Sequence, residues 1–274
     1  MSLSSKPVVF LTGASSGIGA ATAAYFLQQG WRVVATARNP AKILVTTSSP
    51  DLRTFPLDVT AEASLPQVFR DAWDCWGRLD VLVNNAGFAL NGPIEGLTAE
   101  QIDQQFATNV RGLIGVTRAA LPYFRKQRSG VIINISSIGG RVAFPFAAVY
   151  NATKFAIEGL SESLRYELEP HRIRVKLVEP GGIRTRFIDS IHWGTHPAYE
   201  TELHAMQEMT RQLNEQLPGP EGVAQVIYRA ATDGSARLRY PALPGPYLWM
   251  RALLPDWVWR RLIRSMLARH AQRA

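Results

Sequence analysis

Five short, almost wholly apolar runs recur along this chain, at Val8 to Leu11, Arg32 to Ala37, Val81 to Val83, Val131 to Ile135 and Val175 to Val178. Strands that are apolar at nearly every position, rather than at alternate ones, must be covered on both faces. Helical patterns at Ile18 to Gln29, Leu65 to Trp76, Ile102 to Arg125 and Val149 to Leu168 fill the intervals and supply that cover. The alternation predicts a doubly wound α/β domain around one parallel sheet of about seven strands. With 274 residues, 46% of them hydrophobic, the chain has apolar material for one sizeable core. We expect a single domain over residues 1–240 and a basic amphipathic extension over 241–274.

Composition removes several function classes. The single cysteine, Cys75, excludes an intramolecular disulfide framework and any two-cysteine metal site, and fits a reducing, cytoplasmic setting. The apolar run ahead of Thr12 is too short for a signal-peptide core, and no run approaches the roughly 20 residues that span a bilayer. His192 and His196 are spaced i, i+4, but no Glu stands between them in the metalloprotease pattern, so no metal is expected. The formal charge of +8 is concentrated in the tail: from Ser235 onward eight Arg face one Asp, a local +7. That leaves +1 for the body and argues against a nucleic-acid face.

The first strand runs into Thr12-Gly13-Ala14-Ser15-Ser16-Gly17-Ile18-Gly19 and then an Ala-rich helix. Glycines in this place let backbone N–H groups approach a pyrophosphate at the positive end of the helix, as in a Rossmann-type dinucleotide site. The loop lacks the Lys of an NTPase phosphate loop, which argues against an ATPase. No acid occurs before Asp51, so the ribose edge after the second strand carries Arg38, a cation suited to a 2′-phosphate and hence to NADP rather than NAD. Asp58, after a third strand, is a candidate for the adenine amino group or for a local cap.

A second constellation lies between Gly130 and Lys154. A strand ends in Ser136 and Ser137, a Gly-rich bend follows, and Tyr150 and Lys154 then stand four residues apart on one helix face. Free tyrosine, with a pKa of about 10, is a poor acid or base near neutrality, and a fixed cation beside it is expected to lower that value.

In order along the chain, Thr12-Gly13-x-x-x-Gly17-Ile18-Gly19, Asp58-Val59, Asn84-Asn85-Ala86-Gly87, Asn109, Ser137 with Tyr150-x-x-x-Lys154, and Pro180-Gly181 resemble the short-chain dehydrogenase/reductase family, NADP-preferring type, over roughly residues 6–240. The resemblance implies an oxidoreductase that interconverts a ketone or aldehyde with an alcohol. Tyr150 would be its general acid/base, Lys154 would lower the Tyr150 pKa and hold the nicotinamide ribose, Ser137 would polarise the substrate oxygen, and Asn109 would support a water relay to Lys154. Cofactor contacts carried over are Gly13, Ser15, Ser16, Gly17, Ile18, Gly19, Arg38, Asp58, Val59, Asn85, Ala86, Gly87, Tyr150, Lys154, Pro180, Gly181, Ile183 and Thr185. The family also implies a homodimer or homotetramer through the two long helices, and a variable substrate loop over residues 186–217. Phe88, Leu90, Phe144, Phe146 and Trp193 point to a lipophilic substrate. A catalytically idle dinucleotide-binding regulator is the alternative, and the intact Ser137, Tyr150 and Lys154 set argues against it.

The tail predicts a helix starting at Pro255 and Asp256, with Trp259, Leu262, Ile263, Met266 and Leu267 on one face and Arg260, Arg261, Arg264 and Arg269 facing away. Three roles compete for it: packing on the core or a partner subunit, closing the substrate pocket, and lying on an anionic membrane surface.

Overall fold

A computed structural model describes residues 6–43 and 49–271 of the chain, with side chains described except at positions 186, 189 and 266–271. The predicted contributions of Met266, Leu267 and Arg269 to the faces of the last helix lie outside the described side chains.

Seven parallel strands form one sheet: β1 (Val8–Thr12), β2 (Arg32–Ala37), β3 (Leu52–Pro56), β4 (Val81–Asn84), β6 (Gly130–Ile135), β7 (Ile173–Pro180) and β9 (Arg239–Ala242), in the spatial order β3-β2-β1-β4-β6-β7-β9. The order reverses direction beside β1, which opens a crevice at the C-terminal ends of β1 and β4. Two strands that the sequence did not signal, β5 (Leu90–Asn91) and β8 (His192–Trp193), pair in a separate short sheet. Each has only two residues, too few for any periodicity to register.

The helices are α1 (Gly17–Gln28), α2 (Leu65–Asp74), α3 (Ala99–Phe106), α4 (Leu113–Gln127), α5 (Ala148–Leu168), α6 (Arg186–Asp189), α7 (Glu200–Gln216), α8 (Glu221–Thr232), α9 (Tyr247–Leu253) and α10 (Asp256–Ala271). Alternate residues of the central strands go to opposite faces. Val9, Leu11, Val33, Val83 and Ile133 join Ala23 and Phe26 of α1 and Val223 and Ile227 of α8 in one core. Val8, Phe10, Val34, Leu82 and Ile132 join Phe69 of α2 and Val116 and Phe124 of α4 in the other. Phe10 stacks on Phe69 with ring centroids 4.4 Å apart, fixing α2 against β1.

The single long helix predicted from Ile102 to Arg125 is divided. A π turn, Ala107–Gly112, joins α3 to α4 and widens the helix at Asn109. Hydropathy does not mark such a turn, because the apolar stripe continues through it. Among the described residues no helix is long and apolar enough to cross a membrane.

Candidate active site

The loop after β1 is held closed by β4. The hydroxyl of buried Thr12 accepts the backbone N–H groups of Asn85 and Ala86, each at 3.0 Å, and the Asn85 amide donates to the carbonyls of Thr12 and Gly13, also at 3.0 Å. Gly13 has a φ of 70°, and a Cβ there would stand 2.9 Å from the Ala86 Cα. A Cβ on Gly19 would overlap the Gly13 carbonyl oxygen. The loop is therefore compressed onto the first turn of α1, where Ser16 occupies the N-cap without a side-chain capping bond and no acidic residue intervenes. Uncapped N–H groups with no competing carboxylate suit a phosphate. The loop after β7 closes the same cradle, since Thr185 lies against Gly17, 3.2 Å from where its Cβ would be. Ile183 stands in the same loop. Its side chain is buried in the core with Val223 and Ile227, so only its backbone is free to face a ligand.

Arg38 is exposed immediately after β2 and makes no hydrogen bond or ion pair among the described residues, while its field reaches Asp58. Asp58 accepts the Thr60 N–H at 2.9 Å and the Thr60 hydroxyl at 2.7 Å, forming a local turn. Those bonds, the hydroxyl foremost, hold its carboxyl below the usual range. The Val59 side chain is buried and packs where a Gly112 Cβ would be, 2.7 Å away.

At the end of β6 the two serines diverge. Ser137 accepts the Gly139 N–H at 3.0 Å and bonds the Tyr150 phenol. The Ser136 hydroxyl is buried, has no hydrogen-bond partner among the described residues and turns toward Gly140. The interval that singled out Ser137 in the sequence therefore selects the serine that faces Tyr150. Lys154, 8% exposed, sends its Nζ to the Ile135 carbonyl at 2.9 Å, and that nitrogen lies 5.7 Å from the centroid of the Tyr150 ring.

One electrostatic expectation is reversed. In the unliganded chain burial pushes the Tyr150 phenol up to about 12, opposed only by its bond with Ser137. Burial likewise pulls Lys154 down to about 8 against the attraction of Glu158. The ammonium is spent on the β6 carbonyl, and loss of water outweighs every other influence on the phenol.

Asn109, at the π turn, donates to the Phe88 carbonyl at 3.0 Å and to the Thr153 hydroxyl at 3.1 Å, and accepts the Phe88 N–H at 3.1 Å. Thr153 in turn donates to the Tyr150 carbonyl at 2.7 Å. Asn109 thus ties the loop after β4 to the helix carrying Tyr150, and its described bonds reach Thr153 rather than Lys154. Gln105, fully buried, completes this clamp by bonding both Phe88 and Leu90. Neither Thr153 nor Gln105 carried a sequence signal, because their partners lie in other segments. Asn84 has a structural place, donating to Thr117 at 3.0 Å and to Asn134 at 2.9 Å.

Aromatic side chains gather over the site. Phe187 stands 6.1 Å from Tyr150, Phe88 5.2 Å from His192, and Phe146 6.4 Å from Tyr199, measured between ring centroids. Trp193, Ile188 and Gln207 line a cavity of about 160 Å³ under α7. His196 accepts the Ala198 N–H at 3.2 Å, and among the described residues no cluster of three or more His, Cys, Asp or Glu is placed to hold a metal.

A family model described as short chain dehydrogenase matches residues 7–194. The chain belongs to the short-chain dehydrogenase family. Its relatives include an uncharacterized oxidoreductase of Bacillus subtilis, 37% identical over 96% of this chain and 99% of the relative. A 3-ketodihydrosphingosine reductase of Bacteroides thetaiotaomicron is 42% identical over 67% of this chain and 66% of its own length. A solved short-chain dehydrogenase from Streptomyces avermitilis superposes with a TM-score of 0.82 at 35% identity, covering 95% of this chain and 96% of that one. ElxO with NADP bound superposes at 0.73 with 29% identity, covering 89% and 99%. This short-chain dehydrogenase is thus an oxidoreductase with a Rossmann-type fold.

Proposed function

We propose that the protein is an NADP(H)-dependent oxidoreductase that interconverts a lipophilic ketone or aldehyde with its alcohol, with Tyr150 as the general acid/base. The observation that carries this reading is the meeting of Ser137, Tyr150 and Lys154 at the end of β6, beside the glycine cradle at the end of β1.

The cradle fits a dinucleotide phosphate, because Gly13 and Gly19, where a Cβ would strike Ala86 and the Gly13 carbonyl, let the loop pack closely onto the uncapped first turn of α1. Ser15, Ser16, Gly17 and the start of α1 would hold the pyrophosphate, and Asn85 through Gly87, Pro180, Gly181, the Ile183 backbone and Thr185 would flank the nicotinamide half. Arg38, unpaired among the described residues, would meet a 2′-phosphate. Two neighbours above a quarter identity, ElxO and a metagenomic oxidoreductase, are described with NADP bound, which supports that preference. The cofactor supplies or accepts the hydride.

The side chains divide the remaining work. Ser137 would donate a hydrogen bond to the substrate oxygen, where negative charge grows during reduction. Tyr150, its phenol protonated at neutral pH, would then give its proton to that oxygen. The protonated phenol is the form that can give a proton to a carbonyl oxygen during reduction. Lys154 would hold the nicotinamide ribose, and its remaining positive charge would stabilise the phenolate left behind. The relative named for reducing 3-ketodihydrosphingosine and the aromatic lining of the site both support a lipophilic carbonyl substrate. Subunit association through α4 and α5 is part of the same reading, supported by exposed Phe155 and Tyr166 on α5.

Consumption of NADPH with a panel of aliphatic and aromatic ketones and aldehydes, followed at the nicotinamide absorbance band, tests the assignment. Turnover that disappears in Tyr150→Phe supports it, and turnover that survives the substitution removes Tyr150 as the acid.

A further inference from the structure

Among the described residues, the most exposed large apolar side chains crowd into nine consecutive positions: Trp249 at 72%, Leu253 at 77% and Trp257 at 69%. Trp249 and Leu253 stand one turn apart on α9, Trp257 opens α10, and only Leu254 and Pro255 separate the two helices. On α10 the residues Trp257, Arg260, Arg261 and Arg264 recur at i, i+3, i+4 and i+7, and all are exposed. The opposite face carries Trp259, which is buried, with α10 packed along α7. The helix therefore has an inward face already occupied and an outward face of tryptophan and arginine. Core packing, one of the three roles open for the tail, accounts for the first face and leaves the second unexplained.

We propose that the outward face of α9 and α10 docks on an anionic lipid surface. Charge selects this occupant. On α9 and the described part of α10, Arg251, Arg260, Arg261 and Arg264 stand against the lone Asp256, and Arg251 already lies 3.7 Å from that carboxylate. A second copy using the same patch about a two-fold axis would set arginine against arginine. Lipid headgroups supply the missing negative charge, and indole rings favour the boundary between headgroup and acyl chain. The geometry also joins the patch to the active site. Tyr247, the first residue of α9, meets Phe144 edge-on at 5.6 Å, and the Phe144 carbonyl accepts a bond from Asn151, the neighbour of Tyr150. Docking would bring the aromatic rim of the site against the bilayer, where a lipophilic substrate would be dissolved. That last link rests on the proposed activity; the docking surface does not.

Vesicle sedimentation of the full chain tests the docking without any activity measurement. The probes are vesicles of phosphatidylcholine alone and of phosphatidylcholine mixed with phosphatidylglycerol, with light scattering recording the mass of the free protein. The wild type is expected to partition to the anionic vesicles at least about tenfold more strongly than to the neutral ones, and less as salt is raised. Two variants, Trp249→Ser with Leu253→Ser and Trp257→Ser, and Arg260→Gln with Arg261→Gln and Arg264→Gln, should each lose about tenfold in partitioning with unchanged thermal midpoints and mass. Equal partitioning to both vesicle types, no partitioning, or unaltered binding by the arginine variant would overturn the proposal. A fall in solution mass for the apolar variant would overturn it as well, by making the face a subunit interface. If docking holds while Tyr150→Phe leaves turnover intact, only the catalytic reading fails.

Discussion

Replacing Lys154 by Met should stabilise the unliganded protein at neutral pH and destabilise it in alkali. The Lys154 ammonium is buried, and its pKa falls from the ordinary 10.5 to about 8. A lowered lysine pKa means that the native state holds the proton less well than the unfolded chain does, so below about 8 the fold bears the full cost of the buried charge. At about 1.4 kcal/mol per pH unit, the interval from 10.5 to about 8 corresponds to about 3 kcal/mol. Between those values the unfolded chain binds more protons than the native one, so stability rises with pH and the cost is recovered. Met removes the cost at all pH values and forfeits the bond from Nζ to Ile135, worth about 1 kcal/mol. The variant should therefore exceed the wild type by about 2 kcal/mol at pH 7 and fall short of it by up to about 1 kcal/mol near pH 10.5. Urea unfolding of both proteins at the two pH values reads the difference directly, since groups titrating alike in both cancel. A difference that does not change with pH would refute the account of Lys154 as a buried charge, as would a variant less stable than the wild type at pH 7.

Glu158 is the attraction that opposes desolvation of Lys154, so Glu158→Gln should move the inflection in that wild-type-minus-variant stability curve toward acid; an unmoved inflection would exclude the coupling. Gly19→Ala drives a methyl into the Gly13 carbonyl, and we expect a loss of about 2 kcal/mol in thermal or urea unfolding together with loss of NADPH binding by fluorescence titration. Arg38→Ala should weaken NADPH binding about tenfold or more while leaving NADH nearly unchanged, because only the former carries the 2′-phosphate. Equal losses for the two cofactors would place Arg38 elsewhere in the site. Asn109→Ala unties Phe88 from Thr153 and should cost about 2 kcal/mol of stability as buried partners are left unpaired, which chemical denaturation measures.

Much of the fold was legible because its signals are local. The apolar runs at Val8, Val81 and Val131 and the glycines from Gly13 to Gly19 each report their own backbone, and the structure carries them as β1, β4, β6 and the compressed turn before α1. Ser137, Tyr150 and Lys154 could be read for a similar reason, since one strand end and one helix hold all three. The network of bonds made by Thr12, Gln105, Asn109 and Thr153 could not be read in that way, although Thr12 and Asn109 themselves stand in the motifs. Its members bond to chain segments between 15 and 74 positions away, except for the Thr153 bond to Tyr150, and nothing in the sequence orders those segments in space.

By itself, then, the sequence determined which reactive residue types share a short spacing and which backbone stretches must bend, because both depend on residue type and local order. The tertiary structure alone decided how that chemistry is tuned. It turned the Lys154 ammonium toward Ile135, buried the Tyr150 phenol so that its pKa rises to about 12, and placed Glu158 where it opposes the lowering of Lys154. It also decided that one face of α10 is spent on α7 while Trp257 and its arginines remain outside. Desolvation is the physical reason: it depends on how completely distant elements exclude water from a group, and no local pattern encodes that quantity.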